Sequence, residues 1–147
     1  MATTHPTIHI GPPARTAVIM PETTLLDADG SQDVPLHLAE DCAATFIIRI
    51  SDITVTTAGN HARLAFQLLG TDPSQSEDTY GITHELRFWS TGIYVVKIAP
   101  WLETVHLLAY RDTLPEDVLV RLHTITDEAT DTITFTVGMN YTPLGMV

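Results

Sequence analysis

The sequence predicts an all-β protein, an antiparallel β-sandwich of the jelly-roll or immunoglobulin-like kind with about eight or nine strands. Threonine is unusually common, at 23 of 147 residues. Threonine, valine and isoleucine are branched at Cβ and fit a pleated strand better than a helix. Apolar and polar residues also alternate with period two, and turn-forming residues separate the alternating runs.

The clearest alternation runs from Asp131 to Tyr141, where apolar residues alternate mainly with threonines. From His61 to Leu68, alanine, leucine and phenylalanine fall on one side, while His61, Arg63 and Gln67 fall on the other. Both runs predict strands with one buried face. Further strands are expected at Glu22–Leu26, Val34–Leu38, Thr45–Ile53, His84–Trp89, Ile93–Ile98, Thr104–Arg111 and Val118–Thr124. The best helical segments, Leu36–Cys42 and Pro100–Thr104, are each little more than a turn.

The length favours a single domain with two different ends. Residues 1–15 are expected to be an extended N-terminal arm, because prolines interrupt them and proline donates no hydrogen bond to a sheet. Residues 16–141 form the sandwich domain, and residues 142–147 form a short apolar tail. Such ends either fray or dock on a neighbouring molecule. The residues predicted to contact a partner are Ile8, Ile10, Pro12, Pro13, Trp89, Trp101, Leu144 and Met146.

The charge balance excludes two classes of partner. Eighteen acidic residues against seven basic ones give a net charge of -11. Nucleic-acid backbones and anionic membrane surfaces are bound by clustered lysine and arginine, so neither is expected as a partner. The chain has one lysine, Lys97, so its sheet edges lack the residue that most often guards them.

The sequence shows no catalytic constellation, so we expect a protein that is not an enzyme and that uses no cofactor or metal. No serine lies in a nucleophile-elbow motif, and the seven histidines are dispersed without metal-binding spacing. The single cysteine, Cys42, follows two acidic residues, which disfavour a reactive thiolate. The segment Asp27–Asp33 could wrap calcium or form a polar hairpin turn at Asp29–Gly30, and the missing closing glutamate favours the turn.

Three aromatic residues, Trp89, Tyr94 and Trp101, lie near predicted strand ends. Exposed indoles at such positions stack on sugar rings or anchor protein interfaces, whereas buried ones close the end of a core. The sequence leaves these alternatives open.

The order of segments along the chain supports a resemblance to a known class of protein. A strand ending in Thr24-Leu25-Leu26 precedes the Asp29–Gly30 turn, and apolar strands follow at 46–50 and 64–69. The second of these runs into Gly70-Thr71-Asp72-Pro73, and the chain closes on the threonine-rich strand at 132–137. Over roughly residues 20–140, this order resembles small virion proteins of tailed bacteriophages, of the capsid-decoration type.

The resemblance implies a structural protein of the virion that sits on the outer capsid surface. It implies binding to major capsid protein subunits, commonly as a homotrimer, and stabilisation of the shell. Two alternatives stay open: a carbohydrate-binding or adhesin-like module that uses the aromatic residues, and another virion part such as a tail or neck protein.

Overall fold

The computed structural model describes residues 2–11, 15–72, 74, 78–102 and 108–144, and these residues form an all-β structure. The strands are β1 (Thr3–Thr4), β2 (Ile8–Ile10), β3 (Thr16–Leu26), β4 (Gln32–Leu38), β5 (Cys42–Thr54), β6 (Ala62–Thr71), β7 (Thr79–Gly81), β8 (Leu86–Phe88), β9 (Gly92–Ile98), β10 (Ala109–Tyr110), β11 (Asp117–Thr126) and β12 (Thr132–Pro143). None of the described residues forms a helix with the length and hydropathy that crossing a bilayer requires.

The strands form two mixed sheets. The seven-stranded sheet has the order β1-β4-β11-β6-β7, with β2 also paired to β4 and β8 to β6. The five-stranded sheet has the order β10-β9-β5-β12-β3. Three described pairings are parallel, namely β1–β4, β2–β4 and β10–β9. The expectation of a purely antiparallel arrangement therefore needs correction, because short segments join the edges of both sheets in the parallel direction.

A single core receives side chains from both sheets, which makes the fold β-sandwich-like. Phe46 of β5 and Phe66 of β6 are both fully buried, and their ring centroids lie 5.8 Å apart. Alternate residues of β6, β11 and β12 enter this core, as the period-two pattern predicted. Burying a large apolar side chain stabilises the fold by about 1.5–3 kcal/mol, so this shared core is the main source of stability.

Two expectations about local structure are wrong. The segment Leu36–Cys42 is not helical, because β4 continues to Leu38 and β5 begins at Cys42. The Asp29–Gly30 turn does not close a hairpin, because β3 and β4 lie in different sheets. A 3-10 turn at Asp27–Asp29 connects them, and Gly30 follows with a φ of 73°. Glycine adopts this conformation without the strain that a Cβ would cause. Residues 103–107 lie outside the described residues, including part of the predicted Pro100–Thr104 helix and the start of the Thr104–Arg111 strand.

The described part of the N-terminal arm is extended, as expected, but it packs on its own domain. Ile8 and Ile10 of β2 pair in register with Leu36 and Leu38 of β4. Ile10 is only 5% exposed, and Ile8 packs against the core. The two isoleucines are two residues apart, so both face the core when the segment becomes a strand. Ile10 is therefore not available as a partner contact in this structure, which corrects its predicted role.

The start of the C-terminal tail also belongs to the domain. Strand β12 continues to Pro143, which pairs with Cys42, and the Leu144 N–H donates a hydrogen bond of 2.8 Å to the Asp41 carbonyl. The backbone of residues 142–144 is thus held by β5 and Asp41, and the Leu144 side chain is half-buried. The predicted contact residues Pro12, Pro13 and Met146 lie outside the described residues.

Candidate binding surfaces

The outer surface of the seven-stranded sheet collects three of the six arginines, Arg63, Arg87 and Arg121. They project from this sheet on the side opposite the core, since their neighbours Leu64, Phe88 and Leu122 are buried. The pairings of β6 with β11 and β8 set His123, Ala65 and Arg87 side by side, and Arg121 beside Gln67. We call this surface the arginine face.

Two of these arginines have carboxylate partners within the chain. Arg121 Nε donates to Asp33 Oδ1 at 2.8 Å, and this bond raises the pKa of Arg121 above its usual value. Arg87 Nη2 donates to Glu85 Oε2 at 2.9 Å. Each of these two guanidinium groups is paired with a neighbouring carboxylate. The pairing fixes the side chain in place and neutralises most of the charge that could attract an anionic ligand.

Arg63 differs from the other two. Among the described residues no carboxylate lies within ion-pair distance of it. Its guanidinium carbon lies 5.1 Å from the ring centroid of Trp89, a cation–π distance. Its Nε atom is buried and has no hydrogen-bond partner among the described residues. The guanidinium is thus held against an aromatic ring, and no carboxylate of the described residues pairs with its charge.

Trp89 is exposed beside Arg63. It follows β8, whose residue Phe88 pairs with Leu64 of β6, and this register brings position 89 next to Arg63. The residue is 53% exposed, and the His61 ring meets it edge-on at 6.1 Å. The sequence identified Trp89 as a contact residue but held no sign of its cation–π partner, because the pairing of β6 with β8 is tertiary.

The outer surface of the five-stranded sheet carries an apolar row. Strand register places Val95, Ile47, Gly138 and Val18 in line across β9, β5, β12 and β3. The next row consists of Lys97, Thr45, Asn140 and Thr16. Val18 is 67% exposed, which is unusual for a valine in a strand. Arg49 and Ile93 lie in the row on the opposite side of the apolar row, on the same surface of the sheet. We call this whole surface the five-stranded face.

Trp101 lies at one end of the five-stranded face. It is 62% exposed and borders a shallow pocket of about 260 Å³ whose lining includes Thr45, Lys97, Asn140 and Thr142. The pocket offers an indole, a cation and neutral hydrogen-bonding groups. It is continuous with the apolar row, because Lys97 and Val95 project from the same side of β9.

The three aromatic residues do not form one stacking platform. Trp89 precedes β9 and Trp101 follows it. A strand of that length spans about 20 Å at the usual rise for each residue. Tyr94 stacks on Phe88 with ring centroids 4.3 Å apart, and its hydroxyl donates to the Ser90 carbonyl at 2.8 Å. Tyr94 is therefore a packing residue, and the two tryptophans mark separate surfaces.

The three carboxylates of the segment Asp27–Asp33 each interact with a different group of the chain. Asp27 Oδ2 accepts from the Thr126 N–H at 2.9 Å, Asp29 Oδ2 accepts from the Leu26 N–H at 2.8 Å, and Asp33 pairs with Arg121. Within the described ranges, no three histidine, cysteine, aspartate or glutamate side chains are placed to share a metal ion. The polar interactions of these aspartates fix the connection between the two sheets.

Two histidines that are distant in sequence meet at the edge of the arginine face. The His9 and His37 rings lie 5.6 Å apart, because β2 and β4 pair in parallel at these positions. His37 Nδ1 lies 2.8 Å from Asp117 Oδ1, and its Nε2 lies 3.4 Å from Glu116 Oε1. The hydrogen bond with Asp117 is the main reason that the pKa of His37 is raised above 6.5.

Replacing Asp117 with asparagine is expected to lower stability more at about pH 6 than at about pH 8.5. A histidine whose pKa is raised in the folded state stabilises the fold fully below its unfolded pKa, and this contribution disappears as the pH rises through the folded value. Chemical denaturation of the wild-type and Asp117→Asn proteins at both pH values measures the difference. Glu116 and His9 also face this imidazole, so Glu116→Gln is expected to act in the same direction. An equal loss at both pH values would contradict the assignment.

Cys42 is buried at the start of β5, and burial raises the pKa of its thiol to about 11. We expect alkylation by iodoacetamide at about pH 8 to be on the order of a hundredfold slower in the folded protein than in denaturant, because the thiolate is the nucleophile. Mass spectrometry follows the reaction without ambiguity, since the chain has one cysteine. Similar rates in both states would show that the thiol is accessible and reactive.

No protein-family model, no curated protein and no solved structure matches this chain.

Proposed function

We propose that this chain is a structural protein of a tailed-bacteriophage virion that decorates the outer capsid surface. It binds major capsid protein subunits as a homotrimer and stabilises the shell without catalysing a reaction. Its two sheets act as a rigid β-sandwich of the jelly-roll or immunoglobulin-like kind. The order of its segments supports this role, and the observation that carries the proposal is the exposed apolar surface of the five-stranded face.

That surface has the chemistry of a protein interface. Val18, Ile93 and Trp101 are each more than half exposed. Exposed large apolar groups on one surface mark interaction sites. Arg49 and Lys97 flank the apolar row, and neither has a carboxylate partner among the described residues. The chain has eighteen acidic residues, yet no described one pairs with these two cations, and cations beside an apolar row fit a partner surface that supplies carboxylates.

The size of the face fits attachment in many copies. Four strands, β9, β5, β12 and β3, spaced by about 4.8 Å and each about seven residues long within the face, give roughly 450 Å². A stable single interface buries about 800 Å² on each partner, so one such face alone binds weakly. Three copies on one trimer multiply that affinity, because each further contact is intramolecular. The five-stranded face thus replaces the arm, which packs on its own domain, as the proposed capsid contact.

The test adds the purified chain to particles that lack it and measures co-sedimentation. Val18→Asp and Trp101→Ala are each expected to weaken binding by about tenfold, the effect of losing one strong apolar contact in an interface. Trp89→Ala is the matched control, since it removes a similarly exposed indole from the other sheet. The proposal fails if the wild-type chain does not sediment with particles, or if Trp89→Ala weakens binding as much as Trp101→Ala. Antibody labelling of the tail or neck would favour those virion parts instead.

A carbohydrate-binding or adhesin-like module is the second candidate. It is favoured by Trp89, an exposed indole fixed beside Arg63, which has no carboxylate partner within the described ranges. A flat aromatic ring with polar neighbours is a common sugar-binding surface because a pyranose presents an apolar face of C–H groups. A glycan array that gives no signal would remove this candidate.

A further inference from the structure

We propose that Arg63 and Trp89 form a binding subsite for a carboxylate-bearing sugar, such as a uronic acid, on the arginine face. This inference rests on the carbohydrate-binding alternative and not on capsid attachment, which uses the opposite sheet. Either proposal can therefore fail while the other holds.

The first argument is the unpaired charge of Arg63. The chain has eighteen acidic residues and six arginines, yet no described carboxylate reaches this guanidinium. Its Nε donor is also buried and unpaired among the described residues. An unpaired buried donor costs stability in a folded protein. A ligand carboxylate compensates the charge by accepting two parallel hydrogen bonds from the terminal Nη atoms of the guanidinium, while the buried Nε lies out of its reach.

The second argument is the placement of the indole. Trp89 lies against Arg63 on one side and meets the edge of His61, so it is positioned before any ligand arrives. Half of its surface is still open to solvent. In a uronic acid, the carboxylate is attached to the same ring whose C–H face packs on an indole. One sugar residue can therefore contact the indole and the guanidinium together, which neither a neutral sugar nor a small anion can do.

The third argument is the shape of the adjoining surface. Ala65 lies between His123 and Arg87 and is only 3% exposed, because these larger side chains flank it. A small cleft of about 30 Å³ opens there, and its lining includes Gln67, His123, Arg121 and Glu85, whose carboxylate is paired with Arg87. Hydrogen-bonding groups thus continue from Arg63 along the sheet. Arg87 and Arg121 already have carboxylate partners, so Arg63 is the residue that selects for an acidic sugar.

The experiment uses the full chain carrying Trp101→Phe, which leaves Trp89 as the single indole. Trigalacturonic acid is added while Trp89 fluorescence is recorded. We expect a saturable change, about tenfold weaker binding after Arg63→Gln, and an intermediate loss after Arg63→Lys, because lysine keeps the charge without the planar fork. Arg49→Gln is the matched control and is expected to leave binding unchanged, since it removes from the other sheet an arginine that also lacks a described carboxylate partner.

Three further results decide the proposal. The fully methyl-esterified trimer is expected to give no saturable change, because esterification removes the charge that Arg63 binds. Triglutamate is also expected to give none, since it has carboxylates but no pyranose face. Binding of the ester, equal binding of triglutamate, an equal loss in Arg49→Gln, or no response to trigalacturonic acid would each overturn the subsite. Circular dichroism of every variant separates lost binding from lost folding.

Discussion

Replacing Phe66 with alanine is expected to lower the free energy of unfolding by about 3–5 kcal/mol. Phe66 has no exposed surface, and its ring centroid lies 5.8 Å from that of Phe46 in the other sheet. The substitution removes apolar burial and leaves a cavity that strands on both sides hold open. Equilibrium denaturation in guanidinium chloride measures the change.

The matched control for this substitution is Ile93→Ala, because Ile93 also lies in a strand but is 55% exposed. It is expected to change stability by no more than about 0.5 kcal/mol. A double-mutant cycle with Phe46→Ala is expected to give a coupling of about 0.5–1.5 kcal/mol, typical of a contacting aromatic pair. A loss below about 1 kcal/mol for Phe66→Ala would mean that the two sheets do not share this core.

Replacing Ile10 with aspartate is expected to lower stability by about 2 kcal/mol and to release the N-terminal arm. The wild-type side chain is buried where β2 pairs with β4, so the substitution removes most of the apolar burial that holds the arm. The loss of stability does not exceed this value by much, because the arm detaches and the new carboxylate is then solvated by water instead of being buried. Trypsin detects the release. Arg15, the first trypsin site of the chain, is exposed, and its carbonyl accepts the Tyr141 N–H at 3.0 Å. We expect slow cleavage there while β2 is docked on one side and β3 on the other.

Mass spectrometry is expected to show the peptide that ends at Arg15 much earlier in Ile10→Asp than in the wild-type protein. Thr7→Asp is the control, since Thr7 lies in the same arm but is exposed. Equal cleavage of all three proteins would show that the arm is not docked on its own domain. That result would support the hypothesis that the arm contacts a neighbouring molecule.

The alternation of residues predicted most of β5, β6, β11 and β12, but of β3 it predicted only Glu22–Leu26, whereas the strand begins at Thr16. Arg63 and Gln67 lie on the polar side of β6, as its pattern indicated, since side chains alternate strictly along a strand. The parallel edge strands were not predictable in this way. Ile8 and Ile10 show the period-two pattern of a strand, but the prolines around them suggested an unpaired arm. Local sequence also does not indicate which strand another strand pairs with.

The candidate surfaces depend on those partners. His9 meets His37 only because β2 pairs with β4, and Arg63 meets Trp89 only because β8 pairs with β6. These pairs are 28 and 26 positions apart in the sequence, and no local signal links them. Trp89 and Trp101 were identified from sequence as contact residues. Their assignment to two separate surfaces required the structure, because it depends on β9 lying between them.

Cryo-electron microscopy of particles carrying the chain tests the central claim most directly. The expected map shows three copies at three-fold positions outside the shell, with Val18 and Trp101 turned toward capsid subunits and the arginine face toward solvent. A map that places the chain in a tail or neck, or leaves the five-stranded face uncovered on the shell, would contradict it.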